Sequence, residues 1–179
     1  MPSGGGCKPP TSLDAIVMEA PLYERFVATV RRRFPQKSFG YFISSIGPDR
    51  PTDFILLDEN IRNAATWKPR FEAYGRYFVD HDDAGFVATP TEAWRVQKRI
   101  WDLGMFEVGI FHSHQRHPGN FSRIDYEMHL QRYSGPWHLI ISLRNPLLPV
   151  VRVFAVSEAG VREIPVHLAA PLSGDLEAT

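Results

Sequence analysis

From Pro21 to Phe34 apolar residues recur at every fourth position: Leu22, Phe26, Val30 and Phe34. That period places them on one face of a helix, with Pro21 suited to its first turn and Pro35 to its end. Ahead of it, Ala15-Ile16-Val17-Met18 is a short apolar run that reads as a strand. Residues 39–46 and 54–57 read as two strands separated by the turn Gly47-Pro48-Asp49-Arg50. Residues 60–89 are mixed in character. Within them Tyr77-Phe78-Val79 suggests a strand, and His81-Asp82-Asp83 a polar loop. Thr91 is placed to cap a second helix running to about Leu103 and stopped by Gly104. Then comes Phe106-Glu107-Val108-Gly109-Ile110-Phe111-His112, which predicts a strand. A polar loop, a helical stretch over 122–133 and three strands, at 137–143, 150–156 and 161–166, complete the series.

Many strands around two or three helices predict a mixed α/β or α+β domain. The chain has 179 residues, a length that suits one domain with its own core. Residues 1–12 are rich in Gly, Pro and Ser and are expected to be a disordered tail, as are residues 171–179. The domain is then expected to span 13–170. Lys+Arg and Asp+Glu both number 20, which argues against broad electrostatic capture of nucleic acid or of an anionic membrane. No apolar run is long enough to span a bilayer, and the N-terminus lacks the apolar core of a secretory signal. The one cysteine, Cys7, has no internal partner and cannot supply a cysteine-based zinc cluster. A reducing, cytoplasmic setting is the expectation.

The chemistry-bearing segment is His112-Ser113-His114, then seven residues, then Ser122-Arg123-Ile124-Asp125. Histidines two apart on a strand project from one face and can take adjacent corners of a zinc tetrahedron. Asp125, in the first turn of the following helix, can fold back to them. Two nitrogens and one carboxylate oxygen leave a fourth position for water, the layout of a catalytic zinc site. Ser122 is placed to donate to the oxyanion of a tetrahedral intermediate. Ser122 and Asp125 also match a helix N-cap with an acid in the first turn, which is purely structural. The four residues together decide against coincidence: residue frequencies give roughly 10⁻³ chance occurrences of the pattern in a chain of this composition.

His-x-His, seven residues, Ser-x-x-Asp resembles the zinc signature of the JAMM (MPN+, JAB-domain) metalloprotease family. The surroundings agree. Val108-Gly109-Ile110-Phe111 leads into the histidines, and a helix ending in Phe34-Pro35 precedes the strand Gly40-Tyr41-Phe42. The resemblance covers roughly residues 13–167. It implies a curved β-sheet flanked by helices in one JAB/MPN-like (cytidine deaminase-like) domain. It implies one Zn²⁺ held by His112, His114 and Asp125, with Ser122 stabilising the intermediate. It also implies hydrolysis of amide or isopeptide bonds, in relatives often at the C-terminal tail of ubiquitin or a ubiquitin-like sulfur carrier.

The family carries a glutamate two residues after the proline and three before the glycine, where it handles the attacking water. Lys37 stands there in this chain. A protonated lysine cannot accept a proton. With its pKa depressed by burial and a nearby dication, a neutral Lys37 is a base; charged, it anchors an anionic substrate or oxyanion; otherwise it is an ordinary solvated lysine. Glu107, Glu127, His117 and the 81–83 cluster are weaker substitutes, each a candidate surface group. Gln115-Arg116-His117 is polar and basic, either a carboxylate or phosphate contact or simply an exposed loop. His129, His138 and His167 carry no pattern and are read as structural. Three functions compete: a zinc hydrolase acting on a ubiquitin-like or sulfur-carrier tail or on a small biosynthetic amide; a zinc enzyme with other chemistry directed by Lys37; and a non-catalytic MPN scaffold in which the domain pairs with another. A homodimer is compatible with each. Scaffold members typically lose zinc ligands, whereas this chain keeps all three.

Overall fold

The four-residue apolar period near the N-terminus becomes helix α1 (Ala20–Arg32), which follows strand β1 (Ile16–Glu19) without a break. The structure is a computed structural model and describes residues 13–171. The tails expected to be disordered, and Cys7 with them, lie outside the described residues, residue 171 excepted. Leu22, Phe26 and Val30 are the buried face of α1, and Arg31 and Arg32 occupy its last turn, where cations meet the negative end of the helix dipole.

The other described elements are β2 (Phe39–Ser44), β3 (Asp53–Leu57), α2 (Lys68–Glu72), α3 (Arg76–Asp80), α4 (Pro90–Asp102), β4 (Phe106–His114), α5 (Arg123–Arg132), β5 (Trp137–Ser142), β6 (Val150–Ser157), β7 (Gly160–Ile164) and β8 (Val166–Ala169). A six-stranded sheet runs in the order β3-β2-β4-β5-β6-β7. Its neighbours are antiparallel except β4 and β5, which run parallel at its centre. β1 and β8 form a separate parallel pair.

Alternation along the central strands divides the core. Phe42, Phe111, Trp137, Leu139 and Ile141 pack with Phe26 and Val30 of α1. Phe39, Tyr41, Ile43 and Ile110 turn the other way and pack with Val96 and Ile100 of α4. The result is the expected mixed α+β domain, a sheet with helices on its faces. No helix among the described residues is long and apolar enough to cross a membrane.

Three local expectations are corrected. Residues 77–79 are helical, within α3. A strand there would need a ladder partner; instead Arg62 Nη2 donates to the Phe78 carbonyl at 2.5 Å and the Phe78 ring packs on Phe71. Helix α4 is capped by Thr89, not Thr91: Thr89 Oγ1 accepts the Glu92 N–H at 3.1 Å, and Pro90, lacking an N–H, fits the first helical position. The strand expected over 161–166 is two strands, because Pro165 has no N–H for the ladder. The chain leaves the main sheet after Ile164 and pairs again as β8 on β1. Strand β4 also runs on to His114, so both histidines of the motif belong to it.

Gly109 sits where the β2–β4 register shifts, opposite Trp137. A Cβ there would stand 2.4 Å from the indole ring. Trp137 is fully buried and its Nε1–H donates to the Pro48 carbonyl at 2.7 Å, so the ring has nowhere to go. Gly109→Ala is therefore expected to destabilise the fold by about 1–3 kcal/mol, the usual cost of overpacking a core. Urea unfolding should show a lower midpoint at unchanged slope; an unchanged midpoint would refute this close-approach account.

Candidate metal centre

The alternation that sends Phe111 under α1 sends His112 and His114 to the opposite face of β4. After β4 the 115–121 loop turns the chain back, and α5 begins with Ser122 as its N-cap. Ser122 and Asp125 cap the helix reciprocally. Asp125 N–H donates to Ser122 Oγ at 3.3 Å, and Asp125 Oδ2 accepts the Ser122 N–H at 2.9 Å and its hydroxyl at 2.5 Å. With Oδ2 engaged, Oδ1 faces His112 Nε2 at 3.6 Å. Capping therefore aims the carboxylate, and the two sequence interpretations of Ser122 and Asp125 share one geometry.

One ligand atom from each of His112, His114 and Asp125 lies within 4.8 Å of the others. The two Nε2 atoms are 2.9 Å apart. His114 Nδ1 lies 2.8 Å from the Pro118 carbonyl, which can only accept, so that nitrogen carries the ring proton and Nε2 presents a lone pair. Tetrahedral zinc with bonds of 2.0–2.1 Å has ligand–ligand edges of about 3.3 Å. Two of the separations, 2.9 and 3.6 Å, lie on either side of that edge and the whole set lies within 4.8 Å, so the donor chemistry suits the metal the motif implies, with His114 and Asp125 closing slightly on the ion.

Burial, then the neighbouring His114 and Lys37, holds the His112 imidazole well below its usual pKa. Burial and Lys37 lower His114 likewise. Both are thus neutral near pH 7, the form that ligates metal. Lys37 lies in the wall of the same cavity. Desolvation lowers its ammonium to about 8, with Asp125 and Asp83 opposing and Arg62 assisting.

The cavity measures about 280 Å³. One wall is the 115–118 loop; the other is the stretch from α3 to Gly85, which includes Tyr77 and Asp83. Arg116 bridges them by pairing with Asp83 at 2.8 Å, and Tyr77 meets the His117 ring edge-on at 4.7 Å. Arg62, 1% exposed, holds the second wall: its Nε donates to the Ala84 carbonyl at 2.8 Å and its Nη2 to that of Phe78.

The weaker candidates separate. His117, Asp83, Gln115 and Arg116 line the cavity. Glu107 does not; its Oε1 accepts the N–H groups of Ser134 and Gly135, each at 3.1 Å. Glu127 pairs with Arg123 and with the Tyr74 hydroxyl on an exposed face of α5. His167 is exposed on β8. His129 and His138, read as unpatterned, are drawn to the centre: His138 Nε2 lies 2.7 Å from His112 Nδ1, and His129 Nδ1 lies 3.3 Å from His138 Nδ1. One sign was available for His138, a polar residue inside the apolar run Trp137-His138-Leu139-Ile140-Ile141, since a buried polar group requires a partner. Arg62 had none.

Comparison with known proteins bears on the fold and the family. A solution structure of protein DSY2949 from Desulfitobacterium hafniense is similar at 23% identity, with a TM-score of 0.63 over 88% of this chain and 95% of that one. A solution structure from Salinibacter ruber is similar at 17% identity, with a TM-score of 0.59 over 91% and 97%. Both likenesses concern the fold. No curated protein matches. The family described as prokaryotic homologs of the JAB domain matches residues 19–154, from the end of β1 to β6, and spans the candidate ligands. With that match over most of its length, the chain belongs to the JAB/MPN-domain family.

Proposed function

We propose that this protein is a zinc-dependent hydrolase of amide or isopeptide bonds. The observation that carries the proposal is the convergence of two neutral imidazoles and one carboxylate oxygen at the floor of a cavity that also holds a lysine of lowered pKa. Bound by His112, His114 and Asp125, zinc supplies a Lewis acid and lowers the pKa of water toward neutrality. The chain's own groups do the rest. Ser122 turns its hydroxyl from Asp125 Oδ2 to the carbonyl oxygen as negative charge develops there. Neutral Lys37 takes a proton from the attacking water and returns it to the departing amine. A cavity of about 280 Å³ suits an extended tail or a small molecule and excludes a folded domain. The substrates that fit are the tail of a ubiquitin-like or sulfur-carrier protein and a small biosynthetic amide. Incubation with carrier proteins bearing C-terminal extensions, beside a panel of small amides, tests the proposal and separates the two.

A second interpretation follows from the same lysine. At pH 7 a group titrating near 8 is mostly charged, and a charged Lys37 binds an anionic substrate rather than moving a proton. A bound dication repels the ammonium and lowers its pKa further.

Zinc analysis should find one ion per chain, and His114→Ala should lose most of it while staying folded; unchanged zinc in that variant would overturn the ligand assignment. Ser122→Ala should lose about 1 kcal/mol of cap stability but roughly 10²–10³ in turnover, with zinc retained. Full activity with only a lowered melting temperature would leave Ser122 the capping role alone. The pH profile decides the role of Lys37. If Lys37 is the base, kcat rises as pH passes through the Lys37 pKa, which lies below the metal-free value of about 8 once zinc is bound, and Lys37→Met abolishes turnover. If it is an anchor, kcat/KM falls above that pKa, and Lys37→Met mainly raises KM. A profile flat across pH 6–9, unchanged in Lys37→Met, would remove Lys37 from the mechanism.

A further inference from the structure

Behind His112 two more buried histidines, His138 and His129, continue away from the cavity and end on a backbone carbonyl. We propose that His138 and His129 are positioning residues of the metal centre, a chain of neutral imidazoles anchored on Gly135 that keeps the His112 Nε2 lone pair turned toward His114 and Asp125. The inference rests on the zinc reading above for its purpose, though not for its geometry.

The proton positions follow from the fixed end. The Gly135 carbonyl can only accept, so His129 Nε2, 2.9 Å away, carries a proton. A neutral imidazole has one N–H, so His129 Nδ1 accepts, and the donor facing it at 3.3 Å is His138 Nδ1. His138 Nε2 is then an acceptor, and His112 Nδ1 donates to it at 2.7 Å. The remaining atom, His112 Nε2, is left bare, and it is the one that faces Asp125 and His114. Reversing every ring would set the His129 Nε2 lone pair against the Gly135 oxygen. It would also put a proton among the three donor atoms, where the cation belongs.

The chain has few ways to escape this arrangement. His138 and His129 are 1% and 3% exposed. Phe121 stands edge-on to the His138 ring at 5.1 Å, and Phe86 lies 5.0 Å from His112, so apolar rings occupy the space a competing partner would need. The anchor is also fixed. Glu107 holds the N–H groups of Ser134 and Gly135, and a Cβ on Gly135 would stand 2.6 Å from the Gly109 nitrogen. A ligating histidine usually gives its second N–H to a carboxylate, a carbonyl or water. A neutral imidazole in that place is ambivalent, because its accepting nitrogen depends on its own tautomer. That is why His129, which touches no ligand, matters: it fixes the tautomer of His138.

The test measures tautomers and zinc affinity in wild type, His129→Leu and His129→Gln. The Gln amide presents one acceptor to His138 and one donor to Gly135, preserving the chain, whereas Leu supplies neither. Long-range ¹H–¹⁵N spectra of metal-free wild type should show His112 and His138 protonated at Nδ1 and His129 at Nε2. Any other pattern overturns the proposal, even if no variant folds. In folded His129→Leu, His112 should gain Nε2–H, and zinc should bind about 10–100-fold more weakly in competition with a chromophoric chelator. His129→Gln should remain near wild type. Unchanged zinc affinity in the Leu variant, or a loss in Gln as large as in Leu, would reduce both histidines to packing. Wild type that binds no zinc would defeat the hydrolase reading, while the metal-free spectra would still decide the chain.

Discussion

The strict alternation of side chains along β4 is the constraint on which the site depends. A one-residue slip in register would exchange the faces of every residue on the strand. Phe111 must lie beneath α1, where its ring meets that of Phe26 at 4.9 Å. His112 and His114 are consequently forced to the other face. The parallel neighbour β5 obeys the same rule. Trp137, Leu139 and Ile141 join the α1 core, and His138 comes up beside His112. The core thus selects the orientation of both candidate ligands and of the group behind them.

Helix capping adds the third candidate ligand by equally ordinary means. An acid at the third position of a helix commonly reaches back to the N-cap backbone. In α5 this leaves one carboxylate oxygen committed to Ser122 and the other free to face the histidines. The contact that caps the helix is also the one that aims the free carboxylate oxygen at the histidines. Burial then works in two directions at the site. It keeps the imidazoles neutral, as ligands must be, and lowers the Lys37 ammonium toward the range where it can lose a proton.

Much of this was legible in the sequence because it is local. Leu22, Phe26 and Val30 have a helical period, and His112 and His114 share a strand face by simple parity. The strands of the main sheet up to Val156 announced themselves as apolar runs. Less was legible where the deciding partner is distant. Tyr77, Phe78 and Val79 look like a strand in isolation, but Arg62 takes the Phe78 carbonyl and the segment becomes helix. Arg62 itself has nothing nearby in sequence to mark it. His129 and His138 are 9 residues apart, and His138 is 26 from His112; the pairing of β5 with β4 brings His138 to His112, and the return of α5 to the sheet brings His129 to His138. The strand break at Pro165 was visible in principle, since a residue without an N–H cannot extend an interior ladder.

The pairing of β1 with β8 has a mechanical consequence. These strands run parallel, with Ile16 opposite Val166 and Glu19 opposite Ala169. The chain enters the ribbon at one end and leaves it at the other. Tension applied between the two ends of the domain therefore acts along the ribbon, in shear. The hydrogen bonds between the strands share the load together and do not open one after another. A force that pulls the two ends apart must shear this ribbon, whose β1 side chains Ile16 and Met18 also sit in the core beneath the main sheet.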